Sequence, residues 1–346
     1  MITRLSYVAL LATLLSTPVA RCLSPSDIPS DTPISSLVSS AKSNLANGNA
    51  NDALTYFDAA IARDSSNYLT IFQRGAAYLS LGRNEKASSD FDKVLTIRPD
   101  FEGALLQRAK IKSRNADWAA AKEDLVRAKK TESRDYTQLE EAWGAASLAA
   151  DAEKAGDWDG CVGHAGTAIM VASTALSLRQ LRARCRFERG EVLEGVSDLA
   201  HVLQISPSSI LPHMQISSMM FYSMGDTNKG IEQLQKCLRS DPDSKACSKL
   251  YRREKQLSKT LKQVSSFKDK RQFNSAVKLL VGDREDSGLI QDVKEDVQEA
   301  KGLGHIHKNS PDDFYGSLVE MTCDFYQEVS MQFLIFILMC ANIMVR

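Results

Sequence analysis

The sequence predicts an all-α chain: a solenoid of helix–turn–helix repeats wound as a right-handed superhelix, with about seven repeats and a partial eighth. Three observations predict it. Ala53, Ala87 and Ala121 are small residues spaced 34 apart. Phe57, Phe91 and Leu125 keep the same step, as do Ala60, Val94 and Ala128. Within one period, Tyr68–Asp100, the residues Gly75, Tyr78, Ala87, Phe91, Val94 and Pro99 divide the stretch into two helical runs.

That set of residues at that spacing is the pattern of a tetratricopeptide repeat, in which helix A and helix B form an antiparallel pair. Gly75 lets helix A approach its partner, and Tyr78 fills the gap beside it. Ala87 is the small residue where helix B crosses helix A, Phe91 and Val94 seal helix B against the next repeat, and Pro99 stops it.

The elements follow in order. Met1–Ala20 places Arg4 before the apolar run Leu5–Leu15, then Pro18 and small residues, which is the shape of a secretory signal peptide. Ala20 and Cys22 put cleavage near residues 20–23, so residues 1–22 are assigned to the leader. The run is too short for a membrane anchor, and the mature chain is expected to meet an oxidising lumen, that of the endoplasmic reticulum. Residues 23–33, rich in Ser, Pro and Asp, read as a flexible lead-in. Residues 34–133 hold repeats 1–3, beginning at Ile34, Tyr68 and Glu102. A six-residue slip in phase marks a joint, and residues 134–244 hold repeats 4–6, with a first helix lengthened back to about Tyr136. A second slip opens residues 245–328: one long charged helix over Lys245–Lys262, repeat 7 with Val264, Phe267, Phe273, Ala276 and Leu280, and a helix over Leu289–Lys301. The loop GLGHIHKNSP leads to Asp312–Val329, helix A of an incomplete eighth repeat with Pro311 at its start. Residues 329–346 form an apolar tail, read either as a membrane tether or as an aberrant end of a truncated or misread gene. The broken repeat register favours the second reading over membrane contact.

The chemistry the chain carries is that of binding. Charged residues make up 25% and cancel to a net charge of zero, which gives no footprint for nucleic acid. No phosphate-binding loop, nucleophile elbow or HExxH occurs, so neither an enzyme nor a cofactor is expected. His305 and His307 lie two apart in a loop, but a metal needs more ligands, so a solvated loop is expected and no metal site.

A repeat array of this kind binds along the face lined by its A helices. There Val38, Leu45, Leu69, Phe72, Leu79 and Leu106 form a candidate apolar groove, against the alternative of ordinary packing between repeats. Peptide-clamp arrays hold a terminal carboxylate with Lys, Asn and Arg; here the corresponding positions are Val38, Lys42, Gln73, Gly103 and Gln107, so the charged clamp is missing. Met214, Met219, Met220 and Met224 crowd one helix A, where core packing is the expected role and Met219 and Tyr222 are the two that face the groove. Cys237 and Cys247 flank the turn between two helices, and a disulfide there closes a short loop worth about 2–3 kcal/mol. Cys161 and Cys185 are expected to pack as small hydrophobes, and Cys323 to stand unpaired.

Over residues 34–285 the chain resembles the tetratricopeptide-repeat and J-domain co-chaperones of the endoplasmic reticulum, the DnaJ homolog subfamily C member 3 type. The likeness rests on the leader, the blocks of three repeats joined by long helices, and the stretch QKCLRSDPDSKACSKLYRREKQLSKTLK. The resemblance implies a disulfide between Cys237 and Cys247, and binding of misfolded polypeptides by the first block. It also implies support of a BiP-type lumenal chaperone, a place in the unfolded protein response, and kinship with a protein kinase inhibitor. No His-Pro-Asp motif occurs in this sequence, so the expected function is client binding without J-domain stimulation of an ATPase. A scaffold for one specific folded partner is the alternative.

Overall fold

The structure, a computed structural model, describes residues 23–283 and 287–329. The leader and the tail beyond Val329 lie outside the described residues. Among those described there are sixteen α-helices and no strand.

The first three repeats are the pairs α1 (Ile34–Ala46) with α2 (Ala50–Arg63), α3 (Tyr68–Ser80) with α4 (Asn84–Ile97), and α5 (Glu102–Arg114) with α6 (Trp118–Arg127). Next come α7 (Arg134–Ala155) with α8 (Trp158–Val171), and α9 (Leu176–Glu188) with α10 (Val192–Ile205). In the sixth repeat helix A is α11 (Ile210–Ser218), which loosens into a π-helical turn over Met219–Ser223 before α12 (Thr227–Ser240). The remainder is α13 (Lys245–Asp269), α14 (Phe273–Val281), α15 (Gly288–Gly302) and α16 (Asp313–Glu328). The chain forms two compact units, one of residues up to Ile111 with Asp124–Lys129, the other of Lys112–Glu123 with residues from Lys130 onward.

Pair geometry follows from the 34-residue columns. The small column Ala53, Ala87, Ala121, Cys161 is fully buried, and Gly195 and Gly230 continue it. A Cβ on Gly195 would lie 2.4 Å from the Phe187 ring, and one on Gly230 2.8 Å from the Cβ of Phe221. Those two positions need glycine because a large aromatic of helix A occupies the space. In repeat 2 the roles are exchanged: a Cβ on Gly75 of helix A would lie 2.8 Å from the Phe91 ring of helix B. The aromatic and aliphatic columns are core as expected, Phe57, Phe91, Leu125, Ala60, Val94 and Ala128 all being buried.

Four expectations change. The long joint helix does not end at Lys262: α13 runs on to Asp269 and itself carries Val264 and Phe267, because no helix-breaking residue interrupts that stretch. The lead-in is pinned rather than loose. The Leu23 N–H donates to Asp52 Oδ1 at 2.9 Å, and Arg63 Nη2 donates to the Pro29 carbonyl at 2.8 Å. Cys161 and Cys185 do not merely pack as hydrophobes. They form a disulfide, from helix B of repeat 4 to helix A of repeat 5, with Cα atoms 6.2 Å apart. Nor does Cys323 stand unpaired.

The expected bridge between Cys237 and Cys247 is present and makes the same kind of connection, from α12 to α13. Cys161–Cys185 closes the longer loop, a sequence separation of 24 against 10. The chain-entropy model puts its removal at about 3 kcal/mol. Cys161→Ala with Cys185→Ala is therefore expected to lower the urea midpoint more than the same change at Cys237 and Cys247. A midpoint unchanged from wild type would assign the Cys161–Cys185 bridge no constraining role.

Candidate functional site

The six groove residues all belong to the first unit. Val38 and Leu45 on α1 are half-buried against Ala41, Leu54, Phe57 and Ala77. Phe72 and Leu79 on α3, with Leu106 on α5, are half-buried against a second cluster that includes Phe91, Val94 and Leu105. Tyr78 packs against both clusters. The Phe72 ring lies 5.7 Å from that of Phe91 and 5.1 Å from that of Phe101. Five of the six thus divide their surface between repeat packing and solvent. Leu69 alone of the six is an exposed side chain, at 46%. Packing between repeats accounts for the buried part of these side chains, and the remainder faces solvent.

A line of charge in these repeats was not singled out from the sequence. Arg74 on α3 donates through Nε and Nη2 to both oxygens of Asp90 on α4, at 2.8 and 2.6 Å, and through Nη1 to Asp58 on α2 at 2.7 Å. Arg108 on α5 repeats the arrangement with Asp124 on α6, at 2.8 and 2.6 Å, and with Asp92 on α4 at 2.6 Å. Every separation is 16 residues, and each residue sits 34 after its counterpart. Asp90 and Asp124 are each 1% exposed. The paired carboxylates hold both guanidinium groups more firmly protonated than usual, against the opposing effect of burial. In the second unit Arg182 grips Asp198 in the same bidentate way, at 2.9 and 2.6 Å, with Arg186 adding a bond of 2.7 Å.

In the second unit the side chains expected to face a groove are covered by the chain itself. Met219 and Tyr222 are 0% and 1% exposed, and Phe187 is buried too. The cover is α15 and the segment after it. The Tyr222 hydroxyl donates to Asp296 on α15 at 3.2 Å. Gln215 donates to the Gly304 carbonyl at 3.1 Å. The His307 ring lies 4.9 Å from that of Phe187 and pairs with Glu188 at 3.3 Å, while Asn309 donates to the Glu188 carbonyl. The histidine loop is therefore not a solvated one: Ile306 is buried, and burial pushes the His305 imidazole below its usual pKa. Met214, Met219 and Met220 are core residues, as expected. Beneath them Glu254 of α13 is fully buried and accepts from the Ser217 hydroxyl at 3.0 and 2.9 Å. Burial pushes its carboxyl up to about 8. Among the described residues no group of three or more His, Cys, Asp or Glu is placed to hold a metal, and no helix is long and apolar enough to cross a membrane.

Paired helices in 34-residue phase, with this packing, define a tetratricopeptide-repeat protein, and a tetratricopeptide repeat family model matches residues 70–101. The crystal structure of the P58(IPK) tetratricopeptide-repeat domain has the same fold, with a TM-score of 0.66 at 23% identity over 85% of this chain and 79% of that one. The chain is, more particularly, a homologue of the tetratricopeptide repeat and J domain-containing co-chaperones. It is 47% identical over 312 residues to co-chaperone DNJ1 of Fusarium oxysporum f. sp. lycopersici, covering 90% of this chain and 60% of that protein. It is 32% identical over 244 residues to DNJ1 of Cryptococcus neoformans var. grubii, covering 69% and 47%. DnaJ homolog subfamily C member 3 of Homo sapiens is 28% identical over 229 residues, covering 64% and 45%. The chain thus spans 60% or less of the length of these relatives.

Proposed function

We propose that this chain binds unfolded or misfolded polypeptides in the lumen of the endoplasmic reticulum, through the helix-A face of its first unit, and supports a BiP-type chaperone there. The observation that carries the reading is the solvent-facing area kept by apolar helix-A side chains of that unit, with Leu69 at 46% exposed, in a homologue of co-chaperones. Apolar area of this kind suits chains whose own hydrophobic residues are exposed. The buried disulfides Cys161–Cys185 and Cys237–Cys247 suit an oxidising compartment.

The test is binding to a reduced, permanently unfolded model protein and to its native form. Binding of the unfolded form alone is expected. Leu69→Asp is the clean probe because Leu69 does not support the core, whereas Phe72 does. Loss of one buried leucine contact, about 1.5–3 kcal/mol, weakens binding at least about tenfold. Unchanged binding by Leu69→Asp would remove the groove assignment. Equal binding of native and unfolded forms would favour the scaffold reading instead.

A further inference from the structure

Six cations of α13, in the second unit, share one face. Lys245, Lys249, Arg252, Lys255, Lys259 and Lys262 follow one another at steps of three or four residues, the spacing that keeps side chains on one side of a helix, and all six are exposed. From first to last the row is about 25 Å long, at the rise of an α-helix. The opposite face of α13 is the one the core takes: Cys247, Glu254, Leu257 and Val264 are buried.

Little offsets this charge. Lys249 pairs with Glu299 of α15 at 3.4 Å, and both side chains are more than half exposed. The other five make no ion pair among the described residues. Arg252 donates to the Ser248 hydroxyl at 3.0 Å, and Lys255 lies 5.4 Å from the centre of the Tyr251 ring; neither contact supplies a counter-charge. The acids of α13 itself are Glu254, on the buried face, and Asp269, at the far end. Glu232 of the neighbouring α12 is exposed and forms no ion pair with the row. The whole chain balances 43 basic against 43 acidic residues, yet this face holds one sign. Like charges three and four apart on a helix repel, so an anionic partner would relieve a cost the folded chain already carries.

The side chains between the cations narrow the partner. No large apolar or aromatic side chain of α13 is exposed, so the face has nothing for a membrane to receive or a base to stack on. What stands there is Ser248, Gln256 and Gln263, which can donate to and accept from a peptide backbone. At the start of the row an open hollow of about 590 Å³ is formed by Pro242, Asp243 and Ser244 with Lys245, Lys249 and Arg252. Asp243 is its one acid against three cations. A hollow of that kind admits a chain, and a flat lipid surface would leave it empty.

We propose that this face of α13 is an interaction surface for an acidic polypeptide segment, laid along the helix with its carboxylates on the row of cations. An extended chain of about eight residues spans the row. The surface is separate from the apolar client groove of the first unit and asks for the opposite chemistry.

The test uses the full chain and fluorescently labelled octaglutamate, with octaglutamine as the neutral control. Octaglutamate is expected to bind at least about tenfold more tightly than octaglutamine, and less tightly as salt is raised. Lys255→Gln, Lys259→Gln and Lys262→Gln together are expected to weaken octaglutamate about tenfold, since each removes one exposed charge pair. Lys245→Gln with Arg252→Gln is the second variant and is expected to act in the same direction. Lys268→Gln removes an exposed cation of the same helix that lies off the row, and is expected to change nothing. Carbodiimide coupling of the bound peptide is expected to label Lys255, Lys259 and Lys262 ahead of the other lysines. Equal binding of the two peptides would overturn the proposal, as would octaglutamate binding that both row variants leave unchanged, or coupling spread evenly over the lysines of the chain. Sedimentation with phosphatidylserine vesicles that octaglutamate does not compete away would also overturn it, and would assign the face to a membrane.

Discussion

Arg74→Met is expected to lower the stability of the first unit by about 3–5 kcal/mol, read as a shift in urea unfolding followed by circular dichroism. The reason is what the substitution leaves behind. Asp90 is 1% exposed and takes two of its hydrogen bonds from Arg74. Without the guanidinium, the carboxylate must stay charged in an apolar surround or take up a proton, and each costs free energy. Asp58 loses a partner too, but its side chain is 55% exposed and water replaces the bond. Arg74→Met combined with Asp90→Leu is accordingly expected to regain most of the loss, because a buried ion pair and a well-packed apolar pair differ little in net stability. If the single variant unfolded at the wild-type urea concentration, the ladder would be ornament on the repeats and not part of what holds them.

Stability of the second unit is expected to fall as pH rises from the ordinary carboxylate range toward about 8, and Glu254→Gln is expected to flatten that slope. The Glu254 carboxyl has an ordinary value of 4.5, which it regains on unfolding, and about 8 in the folded chain. Between those values the folded chain carries a proton that the unfolded chain releases, so raising the pH draws the equilibrium toward unfolding. The contribution is fully present below 4.5 and is lost as the pH passes through about 8. Burial is the main cause, and the nearby charge of Asp296 adds to it, while the Ser217 hydroxyl opposes both. A glutamine keeps an acceptor for Ser217 and carries no ionisable proton. Thermal melting between pH 5 and pH 8, wild type beside Glu254→Gln, measures the difference, and parallel profiles would count against the assignment.

The helix pairs were legible because each depends on local pattern: small residues in one column, aromatics in another, proline after the second helix. The Arg–Asp ladder is written in the same period. Asp58 and Asp92, Arg74 and Arg108, and Asp90 and Asp124 keep the same 34-residue step as the alanines. Charged residues on an amphipathic helix read as solvated face, and only the partner helix shows that Asp90 and Asp124 point inward. Cys161 misled for a related reason. It occupies the small-residue column, where packing alone accounts for a cysteine, and its partner stands 24 residues away in the next repeat. The cover over Phe187, Met219 and Tyr222 had no local signal at all. It arises because α15 and the loop after it lie against α9, α11 and α13, a tertiary arrangement in which helical periodicity names the apolar face but not the element that occupies it. At the candidate groove, Phe72 and Leu79 also serve the core, so less of each side chain is free than helical periodicity alone suggests.

The ladder bears on how an array like this grows. Arg108 reaches back to Asp92, and Arg74 reaches back to Asp58, with identical chemistry in both joints. Excising one whole period would bring Arg108 against Asp58, and duplicating one would supply one fresh arginine together with two fresh aspartates, one for each of the carboxylates it grips. Gain or loss of complete units leaves every inward carboxylate with its arginine, whereas a splice falling between Arg74 and Asp90 strands the carboxylate. A change of length that keeps the 34-residue phase therefore keeps the ion pairs, and one that breaks the phase does not.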